Sequence, residues 1–176
     1  RISPLIFGGA QEKKLRAGTE NIAGIVGLGK AAELAVAEME ETTKKLTALR
    51  DKLIHGILES IPDSRLNGHP TDRLPGNCNI SFSYIEGESL LLLLDALGIA
   101  ASSGSACTSG SLDPSHVLMA IGLPHEIAHG SLRLTLSEET TKEDIDFTVD
   151  NIKNIVSFLR SMSPLYEDFV RKSKKN

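Results

Sequence analysis

The sequence has no surplus of positive charge and no long apolar run, and each shortage argues against a class of partner. Its 176 residues include 19 basic and 23 acidic side chains, a formal charge of -4. No net positive charge is available to neutralise a phosphate backbone or an anionic bilayer, so we expect neither nucleic acid nor a membrane surface as a partner. The longest apolar stretches, such as Leu90 to Leu94, are far shorter than the ~20 residues that a bilayer needs. The start, Arg1 to Pro4, is not typical of a signal peptide, so we expect neither a membrane span nor export.

Cysteine is also scarce. The two cysteines, Cys78 and Cys107, can form at most one disulfide. This number suits the reducing cytosol better than a secreted protein held together by disulfides. We therefore expect a cytoplasmic protein with two free thiols. The sequence also begins without methionine and in the middle of an apolar pattern, which predicts that it is part of a longer protein.

A helix-forming stretch dominates the first third of the chain. No proline occurs between Glu20 and Ile61, and the apolar residues from 46 to 57 recur every three or four positions. The pattern predicts one long helix, or two nearly continuous ones, that Pro62 ends. At ~1.5 Å per residue the helix would be ~60 Å long, so we expect it to link two bodies.

Short strand and helix patterns alternate after this helix, which indicates an α/β domain. Strands are predicted at 4–7, 79–84, 99–102 and 131–136, and helices at 86–97, 114–121 and 124–129. Asp113 is the predicted N-cap of the short helix that begins at Pro114. A longer helix follows, which Thr140 or Thr141 caps and Pro164 ends, and 165–170 forms an amphipathic tail.

Cys107 is the first residue that suggests chemistry. It lies among serine, glycine, alanine and threonine, from Ser102 to Ser111, with no large side chain to bury it. A nucleophilic thiol that visits more than one partner needs a surface loop of this kind. The alternative is a plain Ser/Gly turn in which cysteine replaces serine. Cys78 enters a strand and is predicted to be structural.

Arg133 alternates with Leu132 and Leu134 in a predicted strand. On a half-buried sheet a guanidinium is costly unless an anion meets it, and a carboxylate matches its planar fork with two parallel hydrogen bonds. The pattern therefore suggests a carboxylate-binding arginine. The alternative is an arginine on the solvent face, which alternation alone favours.

Glycines and Thr19 stand just before the long helix. Backbone N–H groups and the dipole at a helix N-terminus can bind a phosphate, and a nearby hydroxyl can add to that binding. The spacing of Gly8, Gly9 and Gly18 matches neither common nucleotide-binding loop, so a tight turn followed by an N-cap is the simpler interpretation.

Five histidines raise the question of a metal site. Three follow Cys107 in the chain: His116, His125 and His129. They have no second pair of cysteines and no spacing typical of a closed tetrahedral site, so we do not expect a structural zinc. His55 and His69 are predicted to lie at the surface.

Six stretches carry a family resemblance: Pro4 to Glu12, Arg16 to Asn21, Asn79 to Phe82, Glu86 to Leu90, Ser102 to Gly110 and His129 to Ser137. Together they resemble the pyridoxal-phosphate-dependent cysteine desulfurases of the nitrogen-fixation and iron–sulfur-assembly type. The resemblance implies that L-cysteine is converted to L-alanine and an enzyme persulfide. It also implies that Cys107 is the nucleophile, that Arg133 grips the substrate carboxylate, and that Thr19 reaches the cofactor phosphate of the neighbouring subunit in a homodimer.

The resemblance further implies the fold and the division of the chain. It predicts the aspartate-aminotransferase class, fold type I, with the end of the large domain at 1–27, an inter-domain helix at 28–61 and the small α/β domain at 62–176. The tail from Ser163 resembles the region that meets an iron–sulfur scaffold protein or another sulfur acceptor. Family members hold the cofactor through the lysine of a His-Lys pair, and these 176 residues contain no such pair. The activity of the intact enzyme is therefore not assumed for this chain alone.

Two other functions remain open at this point. A non-catalytic module of the same fold can carry a persulfide or dock on a scaffold without binding the cofactor. A small α/β dimerisation domain is the third possibility, but it leaves Cys107 and Arg133 unexplained.

Overall fold

The computed structural model describes residues 3–103 and 114–173 of the chain. Two compact units make it up, Arg1–Glu41 and Thr42–Asn176, and the boundary between them falls inside the longest helix. The division at 27 and 61 stays a prediction.

Seven helical segments and three strands are seen in the described part of the chain. In order they are α1 Gln11–Lys14, α2 Ile22–Ser60, β1 Ser64–Leu66, β2 Asn77–Phe82, α3 Gly87–Asp95, α4 His116–Ala120, α5 His125–His129, β3 Ser131–Thr135, α6 Lys142–Ser161 and α7 Pro164–Ser173. None of these helices combines the length and the apolar character needed to cross a membrane.

The predicted strand at residues 4–7 is wrong. The segment has no regular secondary structure, and Leu5 and Phe7 are 95% and 83% exposed rather than buried. A strand forms where a neighbouring strand exchanges backbone hydrogen bonds with it, and the described residues of the first unit contain no such strand. The Ala17 N–H donates instead to the Ile6 carbonyl at 3.4 Å.

The predicted long helix is confirmed as the single helix α2. Asn21 caps it, because its side-chain oxygen accepts a hydrogen bond from the Gly24 N–H at 3.0 Å. The helix ends at Ser60, two residues before Pro62. Its buried aliphatic residues lie in the second unit: Leu49, Leu53, Ile54 and Ile57. Burying an aliphatic side chain is worth about 1.5–3 kcal/mol, so this face fixes the end of α2 in the core.

An antiparallel sheet with the order β1-β2-β3 lies at the centre of the second unit. Its core face packs with α2, α3 and α6 and carries Cys78, Ile80, Phe82, Leu132 and Leu134. Its other face, the polar face, carries Asn77, Asn79 and Ser81 on β2 and Ser131, Arg133 and Thr135 on β3. Because side chains alternate along a strand, the same two strands supply both an apolar core and a polar surface.

The predictions for β2 and β3 are confirmed within two residues, but two other strand assignments differ from the structure. The predicted strand at 99–102 is reduced to an isolated bridge between Ser102 and Arg133. Strand β1, three residues long, was not predicted, since so short a segment has no readable pattern of its own. It exists because Arg65 pairs with Ser81 on β2.

The helices after the sheet follow the prediction except at the start of α4. Pro114 is not its first residue: Ser115 has an extended ψ of 121°, so the helix begins at His116. The predicted N-cap Asp113 lies outside the described residues. Of the two predicted caps of α6, Thr140 and Thr141, the structure selects Thr141. Its hydroxyl accepts from the Asp144 N–H at 3.1 Å, and the Asp144 carboxylate accepts from the Thr141 N–H at 2.9 Å.

Arg160 of α6 holds two loops, the turn between α2 and β1 and the start of the loop between β2 and α3. Its buried guanidinium donates to the carbonyl oxygens of Pro62 at 2.7 Å, Ser83 at 3.2 Å and Asp63 at 3.2 Å. The charge also lies 5.5 Å from the ring centre of Tyr166 on α7, which provides a cation–π contact. Arg160 therefore joins these two loops and α7 to α6.

Candidate functional site

Arg133 lies on the polar face of the sheet with an exposed side chain. Its neighbours Leu132 and Leu134 are buried, which places Arg133 on the side away from the core. Among residues 3–103 and 114–173, no side chain forms a hydrogen bond or an ion pair with its guanidinium. The sequence left open whether this arginine faces solvent, and the structure shows that it does. The cation is thus available to an anion that comes from outside the described chain.

The segment that carries Cys107 starts beside Arg133. The Arg133 N–H donates to the Ser102 carbonyl at 2.6 Å, and the Ser102 N–H donates to the Arg133 carbonyl at 3.1 Å. These two backbone bonds tie the chain to β3 five residues before Cys107. Cys107 itself lies outside the described residues, so its role as nucleophile stays a prediction.

A network of buried polar side chains lies beside Arg133 on the polar face. Asn67 donates to the Asn79 side-chain oxygen at 2.6 Å and to the Ser81 hydroxyl at 2.8 Å. The remaining oxygen of Asn67 and the hydroxyl of Ser131 are buried without a hydrogen-bond partner in the described part of the chain. Buried polar atoms are normally paired, so two unpaired oxygens on one face are typical of a surface that receives further polar contacts.

A cleft of about 790 Å³ opens next to this face. Ser103 and Pro114, which flank the segment containing Cys107, both line it together with Ser131. Gly87 allows the start of α3 to lie close to the end of α5, because a Cβ at this position would lie only 2.8 Å from the His129 carbonyl oxygen. The cleft therefore connects the two ends of the cysteine-bearing segment with the strand that carries Arg133.

A second glycine, Gly130, sets the junction between α5 and β3. Its N-terminal neighbour ends α5, and its carbonyl accepts from the Phe82 N–H at 2.9 Å. A Cβ at this position would overlap the Phe82 carbonyl oxygen. Only glycine permits this approach of the α5 end to β2.

Cys78 is on the core face and is fully buried, as the sequence predicted. Burial raises the pKa of its thiol to about 12, although the charges of Arg73 and Arg50 act in the opposite direction. A thiol with so high a pKa is almost entirely protonated near neutral pH, so Cys78 is a packing residue and not a nucleophile.

Thr19 belongs to the first unit, where it is exposed two residues before the Asn21 cap of α2. The turn around it is held by local bonds: the Gly18 N–H donates to the Gln11 side chain at 3.2 Å, and Arg16 donates to the Gly18 carbonyl at 3.0 Å. Gly18 has a φ of +104°, which favours glycine. Thr19 is thus an exposed residue just before the N-terminus of α2, and its phosphate-binding role stays a prediction.

Sequence reasoning missed several residues around Arg133. Asn67 lies in a segment without a motif, and Ser102 and Ser131 lie in stretches that carry the family resemblance but were not singled out, since serine is a common polar residue. A signal was present for β2, where Asn77, Asn79 and Ser81 alternate with apolar residues and so mark a polar face opposite the core.

Comparison with known proteins gives a consistent result. The aminotransferase class-V family model matches residues 8–147. Cysteine desulfurase IscS of Methanosarcina thermophila is 63% identical over 165 residues, which are 94% of this chain and 41% of that protein. Cysteine desulfurase IscS of Clostridium botulinum strain Hall is 56% identical over 178 residues, covering 99% of this chain and 45% of that protein.

Solved structures are similar in the same way. A NifS-like protein superimposes with a TM-score of 0.77 and is 37% identical; the match covers 90% of this chain and 40% of the NifS-like chain. A NifS-like protein from Rickettsia africae gives a TM-score of 0.77 with 31% identity, over 89% and 41% of the two chains. The chain thus spans about two fifths of the length of the relatives that it matches.

Proposed function

Because this chain belongs to the aminotransferase class-V family, we propose that it forms part of a cysteine desulfurase, which converts L-cysteine to L-alanine and an enzyme persulfide. The predicted family and fold class are confirmed by the relatives and by the NifS-like structures. Within the structure, the observation that carries the proposal is the backbone pairing of Arg133 with Ser102, since it brings an exposed guanidinium to the start of the segment that holds Cys107.

Arg133 would bind the carboxylate of L-cysteine. Its guanidinium is exposed and has no partner among the described residues, and its planar fork can donate two parallel hydrogen bonds to a carboxylate.

Cys107 would receive the sulfur. Five residues separate it from Ser102, a span of at most about 18 Å, so its thiolate can approach a substrate that Arg133 holds. The thiolate attacks the sulfur of the bound cysteine; the new S–S bond forms as the C–S bond breaks, and the electron pair of that bond passes to the carbon, which is protonated to give alanine.

Pyridoxal phosphate is the cofactor that the family resemblance implies. When bound, it supplies the electron sink for the carbon that loses the sulfur. The exposed Thr19 hydroxyl beside the N-terminus of α2 fits its phosphate, and we propose that Thr19 holds that group. The lysine that attaches the cofactor would come from outside these residues, since they contain no His-Lys pair.

The sulfur acceptor would be an iron–sulfur scaffold protein or a comparable carrier that contacts the tail from Ser163. Helix α7 is fastened there, because Phe169 stacks on Tyr84 with ring centres 4.8 Å apart, while Leu165 stays 67% exposed. A homodimer in the cytoplasm completes the proposal, and both features rest on the resemblance and on the low cysteine count.

The role of Arg133 can be tested in the intact protein that contains this chain. Arg133→Lys should raise the KM for cysteine at least tenfold, because one ammonium cannot replace two charge-assisted bonds that are worth about 1.5–3 kcal/mol. Arg65→Lys is the matched control, since Arg65 is exposed on the same face of the sheet in β1 and should have no effect. An unchanged KM in Arg133→Lys would remove the carboxylate-binding role.

The role of Cys107 needs a separate measurement. In the intact protein, Cys107→Ser should abolish sulfide release and leave the visible absorption of the bound cofactor unchanged, since a hydroxyl cannot form a persulfide. Wild-type protein treated with cysteine and no reductant should carry one additional sulfur atom on the Cys107 peptide by mass spectrometry. The isolated 176 residues should show neither a cofactor absorption that borohydride removes nor turnover. A yellow, active preparation of these residues alone would contradict the proposed division of the enzyme.

A further inference from the structure

Two imidazoles lie side by side on α5, in the wall of the cleft. His125 and His129 are four residues apart, so they lie on one face of the helix, and their ring centres are 4.6 Å apart with planes inclined by 64°. Both residues line the cleft. We propose that this histidine pair binds a divalent transition-metal ion, such as Ni²⁺, Cu²⁺ or Zn²⁺, with water completing the coordination.

The spacing of the rings agrees with such a site. A metal–imidazole bond is about 2.0–2.1 Å long, and with the nitrogen about 1.1 Å from the ring centre, the metal lies about 3.2 Å from each centre. Two rings bound at about 90–110° then have centres about 4.5–5.2 Å apart. The observed 4.6 Å falls within this interval, so the spacing of the two rings is compatible with both binding one ion.

The helix that carries the pair is held in place at its end. Its first turn is closed by the N–H groups of Ile127 and Ala128, which donate to the Pro124 carbonyl at 3.1 and 3.0 Å. At its end, Gly130 is held against β2 by the 2.9 Å bond from the Phe82 N–H. A fixed spacing of the two rings increases the affinity for the ion. Once one imidazole has bound the ion, the second imidazole is already close to it and binds at a high effective concentration.

The surroundings favour a cation that imidazole binds well. Three carboxylate residues, Glu86, Glu88 and Glu126, line the same cleft and lower the electrostatic cost of bringing a positive ion into it. Imidazole nitrogen suits zinc, copper and nickel, whereas oxygen-rich sites suit magnesium and calcium.

The pair differs from the zinc site of a metalloprotease, although the order His125-Glu126-x-x-His129 matches the H-E-x-x-H spacing. Across residues 3–103 and 114–173, no group of three or more histidine, cysteine, aspartate or glutamate side chains is arranged to hold a metal. The site therefore has two protein ligands and open positions for water, which predicts exchangeable binding and no peptidase activity.

Calorimetric titration of the 176-residue chain, made without an affinity tag, with Ni²⁺ tests the proposal. One ion should bind per chain, and His125→Asn and His129→Asn should each weaken the binding at least tenfold, because either change leaves a single imidazole. His55→Asn is the matched control: His55 is an exposed histidine on α2 and its loss should change nothing. Circular dichroism of each variant checks the fold, and His125, which is exposed, provides a variant that keeps it.

Electron paramagnetic resonance of the Cu²⁺ complex identifies the ligands directly. The spectrum should show couplings to two nitrogens in the wild type and to one in His125→Asn. Three outcomes would each overturn the proposal: no binding by the wild type, binding that persists when both histidines are replaced, or binding that Cys107→Ser abolishes while the histidine variants keep it.

Discussion

The two thiols should react at very different rates, and the structure allows the difference to be worked out for Cys78. Its pKa is about 12, so about one molecule in ten thousand carries the thiolate at pH 8. A thiol with the ordinary pKa of about 8.5, which we expect for Cys107 from its Ser/Gly surroundings, is about one quarter ionised at the same pH. The ratio of thiolate populations is then roughly 2,500.

Two further effects change this ratio in opposite directions. A thiolate of higher pKa is a better nucleophile. With a Brønsted coefficient of about 0.4–0.5, the difference of about 3.5 pKa units makes the Cys78 thiolate about 40-fold more reactive than the Cys107 thiolate. Its side chain is 0% exposed, however, so a reagent reaches it only after local opening of the core, which slows the reaction further. We therefore expect Cys107 to react with an aromatic disulfide at least about 50-fold faster than Cys78.

The assay is a brief exposure of the native chain to the disulfide at pH 8, followed by peptide mapping. Cys107→Ser should leave one slow thiol and Cys78→Ser one fast thiol, and in denaturant the two sites should react at similar rates. Faster labelling of Cys78, or native rates that agree within about threefold, would refute both the burial argument and the assignment of Cys107 as the accessible thiol.

Three other predictions concern stability and can be measured by chemical unfolding of the chain. The folded pKa of Cys78, about 12, lies above its ordinary value of 9.0. The contribution of the buried thiol to the free energy of unfolding is therefore complete below about pH 9 and is lost as the pH rises towards 12, by up to about 1.4 kcal/mol per pH unit. Between pH 9 and pH 10.5 the free energy of unfolding should therefore fall by about 2 kcal/mol less in Cys78→Val than in the wild type. An equal pH dependence of stability in the two proteins would contradict this. Arg160→Met should lower the free energy of unfolding by about 3 kcal/mol, since three carbonyl groups lose their donor. Arg171→Met, at an exposed position on α7, should have no effect, and equal effects of the two changes would contradict the role of Arg160 in holding the two loops. Thr141→Ala should cost about 1 kcal/mol through loss of the α6 cap, and Thr141→Ser should restore most of it.

The sequence by itself determined the elements whose signals are local. Helix α2 follows from a proline-free run with helical spacing, and the start of α6 follows from Thr141 and its capping-box partner Asp144 three residues later. The alternation around Arg133 predicted β3, and the position of Cys78 at the start of a strand predicted a structural thiol. Each of these signals acts within a few residues of the chain, so a single sequence contains all of it.

Only the tertiary structure determined which segments pair with one another as strands. The apolar segment at residues 4–7 reads as a strand and is not one, whereas Ser64–Leu66 has almost no pattern and is a strand, because it meets β2 in the folded unit. The same holds for the site. The face of the sheet on which Arg133 lies depends on the register between β2 and β3, whose paired residues are at least fifty positions apart in the chain, and the bonds to Ser102 join residues 31 apart. Strand pairing and burial join residues that are distant in sequence, and no local propensity specifies which of them will meet.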